Sequence, residues 1–226
     1  MDISSSKKLK WHYKTLPRDT KDALVFLSKE RWLGEEGWYL AGGTALALQA
    51  GNRKSYDLDF FTVQSAFDTA ELLNKLPKNG DWKTAMERKN TIYGELFGTK
   101  VSFIAYPFFI PKQDFLSYGF IKVLDQTDVA VMKITAISQR GRKRDFLDLY
   151  WCVKNIEPLE NIIRRLKIQY PSVAHDYHHV LKSLMYFKDA ESDPEPIVYF
   201  KANWTEVKKF FKKEIPKITK ILMKLD

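Results

Sequence analysis

The chain has 226 residues, 45% hydrophobic and 14% aromatic, enough apolar material to bury a core, which argues against disorder for most of its length. A single cysteine, Cys152, rules out an intrachain disulfide and fits a reducing, cytoplasmic setting. Lysine and arginine outnumber aspartate and glutamate 37 to 28, a formal charge of +9 that favours polyanionic partners, although a basic, well-solvated surface gives the same count.

No apolar run approaches the roughly 20 residues that span a bilayer. The opening "MDISSSKKLKWHYK" lacks the apolar centre of a secretory signal, so no membrane partner is expected. In chain order, "TKDALVFLSKERWL" places Ala23, Leu24, Leu27 and Leu33 at helical spacing and predicts a helix. "GWYLA" reads as a short strand, and "GGTALALQAG" as a turn feeding a short helix closed near Gly51. "YDLDFFT" alternates β-favouring aromatics with aspartates and predicts a strand, and "AFDTAELLNKLP" a helix stopped by Pro77. "WKTAMERKN", "IYGELFG" and "TKVSFIAYPF" follow as strand-like runs separated by turn residues.

From about Gln126 the pattern becomes helical: "TDVAVMKITAISQR", "KRDFLDLYWCVKN", "LENIIRRLKIQY" and "AHDYHHVLKSLMYF". The expected organisation is a mixed α/β half, residues 1–125, and a helical half, residues 126–226. In the second half, Met132, Ile134, Ala136 and Ile137 form an apolar helix face with Lys133 off it, and Gly141 breaks that helix before Arg142. Asp145 and Asp148, at i and i+3, share a face, readable as a surface salt-bridge cluster or a second catalytic wall. His175 and His179 stand at i and i+4, but no further ligand lies nearby to complete a tetrahedral zinc site. The tail "WTEVKKFFKKEIPKITKILMKL" is amphipathic; it could face acidic lipid or RNA phosphates, but is best packed on the core with its lysines solvated, and Pro216 is expected to kink or interrupt it.

The chemistry concentrates in "YLAGGTALALQAGNRKSYDLDFF". Gly42 and Gly43 let the backbone turn sharply and approach a ligand, and a helix beginning at Thr44 offers free N–H groups and a hydroxyl to a phosphate. Asp57 and Asp59 at i and i+2 on a strand project from one face. Carboxylates so close among apolar neighbours are costly without a cation between them, and Mg2+ completed by water and triphosphate oxygens meets that need. Solvated acids on an edge strand are the alternative.

Gly-Gly-Thr followed about a dozen residues later by Asp-Leu-Asp-Phe resembles the signature of the nucleotidyltransferase fold shared with DNA polymerase β. "GGTALALQAGNRKSYDLDFF", "DVAVMKITAISQRGRKRDFLDLYW" and "LMYFKDAESDPEP", in that order, resemble the AbiEii/AbiGii toxin family over residues 37–196. The resemblance implies an α+β fold, a nucleotidyltransferase-type mixed sheet with flanking helices and a helical C-terminal region. It implies Gly42, Gly43 and Thr44 as the nucleotide-phosphate turn and Asp57 and Asp59 as ligands of Mg2+ (or Mn2+). Lys133 matches a lysine expected on the nucleotide phosphates, and Asp145 and Asp148 a later acidic motif. Arg140 and Arg144 stand as phosphate or acceptor contacts, and Arg53 and Ser55 line the nucleotide pocket. The implied function is transfer of a nucleotidyl group from a nucleoside triphosphate to an RNA hydroxyl, tRNA among the candidates and a protein acceptor the alternative. The chain would be the toxin of a toxin–antitoxin or phage-defence pair, with a cognate antitoxin protein as partner. Ser102 stands where superfamily members using two metals place a third acid, and serine is a poor magnesium ligand. That leaves single-metal catalysis, catalysis assisted by Asp145 or Asp148, or a non-catalytic nucleotide- or RNA-binding module that kept the fold.

Overall fold

A computed structural model describes residues 10–77, 81–174 and 176–223. Two short helices, α1 (Arg18–Leu27) and α2 (Arg31–Glu35), precede strand β1 (Tyr39–Ala41), helix α3 (Gly42–Ala50) and strand β2 (Leu58–Thr62). Then come α4 (Thr69–Lys75) and strands β3 (Trp82–Arg88), β4 (Thr91–Leu96), β5 (Thr99–Ala105), β6 (Leu116–Tyr118) and β7 (Ile121–Val123). The remainder is helical: α5 (Gln126–Arg140), α6 (Lys143–Asn155), α7 (Leu159–Gln169), α8 (Tyr177–Ser183), α9 (Lys188–Glu191) and α10 (Trp204–Met223). Among these residues no helix is long and apolar enough to cross a membrane.

The strands form one mixed sheet in the order β3-β4-β5-β2-β1-β7-β6. Its centre sets the geometry that matters. β1 runs antiparallel to β2 with Ala41 opposite Asp59, and β2 runs parallel to β5 with Asp59 opposite Ser102. The glycines that follow Ala41 are therefore delivered beside Asp59 of β2 and Asp57, which just precedes the strand rather than lying in it as the sequence suggested. Leu58 and Phe60 point to the buried face while Asp59 and Phe61 point to the other, the period-2 alternation of a strand.

Three features differ from the sequence expectation. The helix read across residues 20–33 is two helices, because the β6–β7 hairpin docks on the turn between them, where the Phe120 N–H donates to the Ser28 carbonyl at 2.8 Å. β6 and β7 were not legible at all: each has three residues, too short for a periodicity. Pro216 sits inside α10 without interrupting it, since Val207, Phe211, Ile215 and Ile218 bury one continuous stripe that holds the helix together across the missing hydrogen bond.

β7 ends at Val123 and α5 begins at Gln126, where Asp125 caps the helix by accepting from the Thr127 N–H at 2.7 Å. The change from mixed to helical structure falls there. One hydrophobic cluster nevertheless runs through both halves, from Leu40 and Leu46 through Val129 and Ile134 to Phe146 and Phe211. His175 lies outside the described residues, and His179 sets its Nε2 3.2 Å from the Ser138 carbonyl.

Candidate active site

A cavity of about 300 Å3 opens where the first turn of α3 meets the start of β2 and one face of α5. Gly42, Gly43, Thr44, Arg53, Ser55, Asp57 and Asp59 line one side, and Lys133, Arg140 and Arg144 close the other. The sequence-predicted residues thus converge, with two exceptions taken up below.

Both glycines are required by what crosses above them. Gly42 has φ of 69°, and a Cβ there would lie 3.1 Å from Asp59 Oδ2. A Cβ at Gly43 would overlap the Arg53 guanidinium. The turn is stripped of side chains partly to admit protein groups, a use that the sequence reading did not foresee. Thr44 is buried, and its hydroxyl donates to the Asp57 carbonyl and lies 2.9 Å from the Ser55 hydroxyl. Thr44 and Ser55 therefore fix the loop that presents Asp57.

Asp59 lies on the cavity floor, accepting a hydrogen bond from the Ser102 hydroxyl at 2.7 Å. Desolvation pushes its carboxyl above the usual carboxylate range; the Ser102 bond opposes this, and the negative charge of Asp57 adds to it. Asp57 reaches Arg144 Nη1 at 3.3 Å. Among the described residues no group of three or more histidine, cysteine, aspartate or glutamate side chains is placed to hold an ion. The donor set is two carboxylates that raise each other's energy, a poor cage alone but a fitting half-site for a hard cation that keeps water and phosphate oxygens as its other ligands.

Asp145 and Asp148 are the exceptions: they stand behind the cavity wall. Both side chains are wholly buried. Asp148 accepts from Arg53 Nε and Nη2, each at 2.8 Å, from Asn52 Nδ2 at 2.8 Å and from Lys133 Nζ at 2.7 Å. Asp145 takes a second Lys133 hydrogen bond at 2.7 Å and faces Arg140 Nε at 3.3 Å. Burial alone would push these carboxyls up. For Asp148 the Arg53 and Lys133 cations outweigh that, and for Asp145 Lys133 and Arg140 do, so both are held below the usual range. Their burial rules out the surface cluster weighed from sequence, and neither is among the residues that line the cavity. Lys133, expected off the apolar face, is buried beside Ile134 with its ammonium shared by the two acids.

The far end of the cavity is apolar and aromatic: Phe61, Tyr93, Ile104, Tyr106, Met132 and Tyr170. None of these was expected at the site from the sequence, where Met132 read only as part of an apolar helix face. They come from β2, β4, the end of β5 and the residue after it, α5 and the residue after α7, and no local pattern marks them as neighbours.

The sheet, the glycine turn and the paired acids agree with the nucleotidyltransferase class, which the family match establishes. The family described as "Nucleotidyl transferase AbiEii toxin, Type IV TA system" matches residues 26–123 and 113–223, and the chain belongs to it. A protein of Aquifex aeolicus, described as uncharacterized, is 34% identical over 189 residues, covering 79% of this chain and 86% of that protein. In fold the chain is similar to MenT4, a nucleotidyltransferase toxin of Mycobacterium tuberculosis, with a TM-score of 0.54 and 15% identity, covering 90% of this chain and 86% of the other. It is also similar to JHP933 of Helicobacter pylori, with a TM-score of 0.53 and 18% identity, covering 92% and 95%. Membership in a family of type IV toxins implies a nucleotide substrate and an antitoxin.

Proposed function

We propose that this chain moves a nucleoside monophosphate from a nucleoside triphosphate to a hydroxyl of RNA, with tRNA as one acceptor, in a reaction supported by Mg2+ or Mn2+. It acts in the cytoplasm as the toxin of a toxin–antitoxin or phage-defence pair. The observation that carries this reading is the meeting of Asp57 and Asp59 with the Gly42–Gly43 turn and four cationic side chains on one cavity.

The first-turn N–H groups of α3, which have no intrahelical acceptors, face the triphosphate together with Arg53. Lys133 is locked to its two acids and offers the phosphates a fixed positive charge. Arg140 and Arg144, both substantially exposed, neutralise charge on the phosphates or acceptor. The aromatic end takes the base. Asp57 and Asp59 hold the divalent cation, which when bound neutralises charge on the phosphoryl group in transfer. The acceptor oxygen bonds to the α-phosphorus, the bond to the β-phosphate oxygen breaks, and pyrophosphate departs. The acceptor proton passes to a carboxylate at 57 or 59. Asp145 and Asp148 are unsuited to that step, because their oxygens are already engaged by cations that suppress their basicity.

The test is incubation of the protein with each labelled triphosphate, Mg2+ and total RNA. Label transfer by the wild type and its loss, by about 100-fold or more, in Asp57→Ala/Asp59→Ala is expected. Toxicity on expression should disappear with the same substitutions. Nucleotide binding without transfer, across metals and acceptors, would favour the second reading, a non-catalytic binding module, which Ser102 at the register position beside Asp59 supports.

A further inference from the structure

Beside the cavity, segments remote in sequence are hydrogen-bonded into one neighbourhood. The Ser55 N–H donates to the Thr15 carbonyl at 2.9 Å and the Thr20 hydroxyl to the Tyr56 carbonyl at 2.9 Å. The Lys54 N–H donates to the Ile197 carbonyl at 2.8 Å and the Tyr199 N–H to the Asn52 carbonyl at 2.8 Å. This stitching brings together the segments that carry Tyr13, Tyr56 and Tyr199, which are 39%, 49% and 45% exposed. Rings of that size left open to water forgo much of the stabilisation that burial gives.

Each ring also carries an ammonium group. Lys21 lies 5.3 Å from the Tyr13 centroid, Lys54 5.5 Å from Tyr56 and Lys14 5.9 Å from Tyr199. Tyr56 immediately precedes Asp57, so the loop that carries this ring also carries an acid of the cavity. None of these tyrosines or lysines lines the cavity.

Lysine ammonium groups set against half-exposed aromatic rings suit a partner that carries phosphate and unstacked bases together: phosphate draws the ammonium, and the ring is left to a base. A duplex hides its bases, and an acidic protein surface has little use for the rings. We propose that this face is a stacking platform for single-stranded RNA, leading the acceptor strand toward the cavity. Its role as the acceptor path rests on the transferase reading above; RNA capture itself does not, and is measured without nucleotide or metal.

The probe is a 5′-fluorescein-labelled 12-nucleotide RNA of mixed sequence, as single strand and as duplex, with the full-length protein, followed by fluorescence anisotropy. The single strand should bind more tightly than the duplex. Tyr56→Ala/Tyr199→Ala should weaken its binding about tenfold or more, while Tyr56→Phe/Tyr199→Phe, which keeps the rings, stays within about twofold of wild type. Lys14→Gln/Lys54→Gln should reduce the slope of log affinity against log salt by about 1.4. Unchanged thermal melting of the variants separates these effects from misfolding. Equal binding of strand and duplex, or alanine variants within about twofold of wild type, would leave the tyrosines to a protein partner and overturn the proposal. RNA capture intact in Asp57→Ala/Asp59→Ala but without transfer by any form would instead overturn the catalytic reading alone.

Discussion

Replacing Asp148 with alanine would leave the Arg53 guanidinium and the Lys133 ammonium buried without the carboxylate that links them. Breaking such a pair from one side costs about 3–5 kcal/mol. Urea denaturation of Asp148→Ala should show a loss of that size, with nucleotide affinity falling too as Arg53 leaves its place over Gly43. The pH dependence follows from the same contacts. Because the folded-state carboxyls of Asp145 and Asp148 sit below the ordinary range, their stabilisation is complete above about pH 4 and is lost as the pH falls through the depressed values. Urea midpoints measured from pH 7 down to pH 2.5 should therefore fall at the acid end, and Asp148→Asn should flatten that fall. That the glycines and the acids at 57 and 59 would share one cavity was legible from local signals, a backbone turn and a strand start, although Asp57 precedes β2 and only Asp59 lies in it. The role of Asp148 was not, because its arginine partner lies 95 residues away in sequence. Spacing of i and i+3 says that two acids share a helix face, but nothing about what that face meets.

At the scale of elements, most helices and strands could be read from apolar period and turn residues, and the losses have physical causes. The β6–β7 hairpin is too short to carry a period, yet it splits the first predicted helix. Pro216 carries a strong local signal for a break, and the packed stripe of α10 overrides it. Since Pro216 is exposed and makes its cost through the backbone, Pro216→Ala should raise stability by up to about 3 kcal/mol, read as an upward shift in the thermal midpoint. An unchanged midpoint would mean that α10 already absorbs the missing bond by local bending.

Over the whole molecule, the sheet half and the helical half share one core. The apolar residues of α3 pack toward α5, and Arg53 is held by an acid on α6, so the front of the cavity depends on the back half of the chain. We infer that residues 1–125 do not fold alone. The full chain should unfold in a single cooperative transition, with circular dichroism and tryptophan fluorescence giving coincident curves, and the 1–125 fragment should show no such transition. A cooperative melt of the fragment would restore the division into independent domains.

The short bridge between Arg53 and Val198 has a mechanical consequence. It clamps the backbone of the loop carrying Arg53 while Asp148 on α6 grips the guanidinium. A side chain fastened at both ends keeps its aim with little left to order when a ligand arrives.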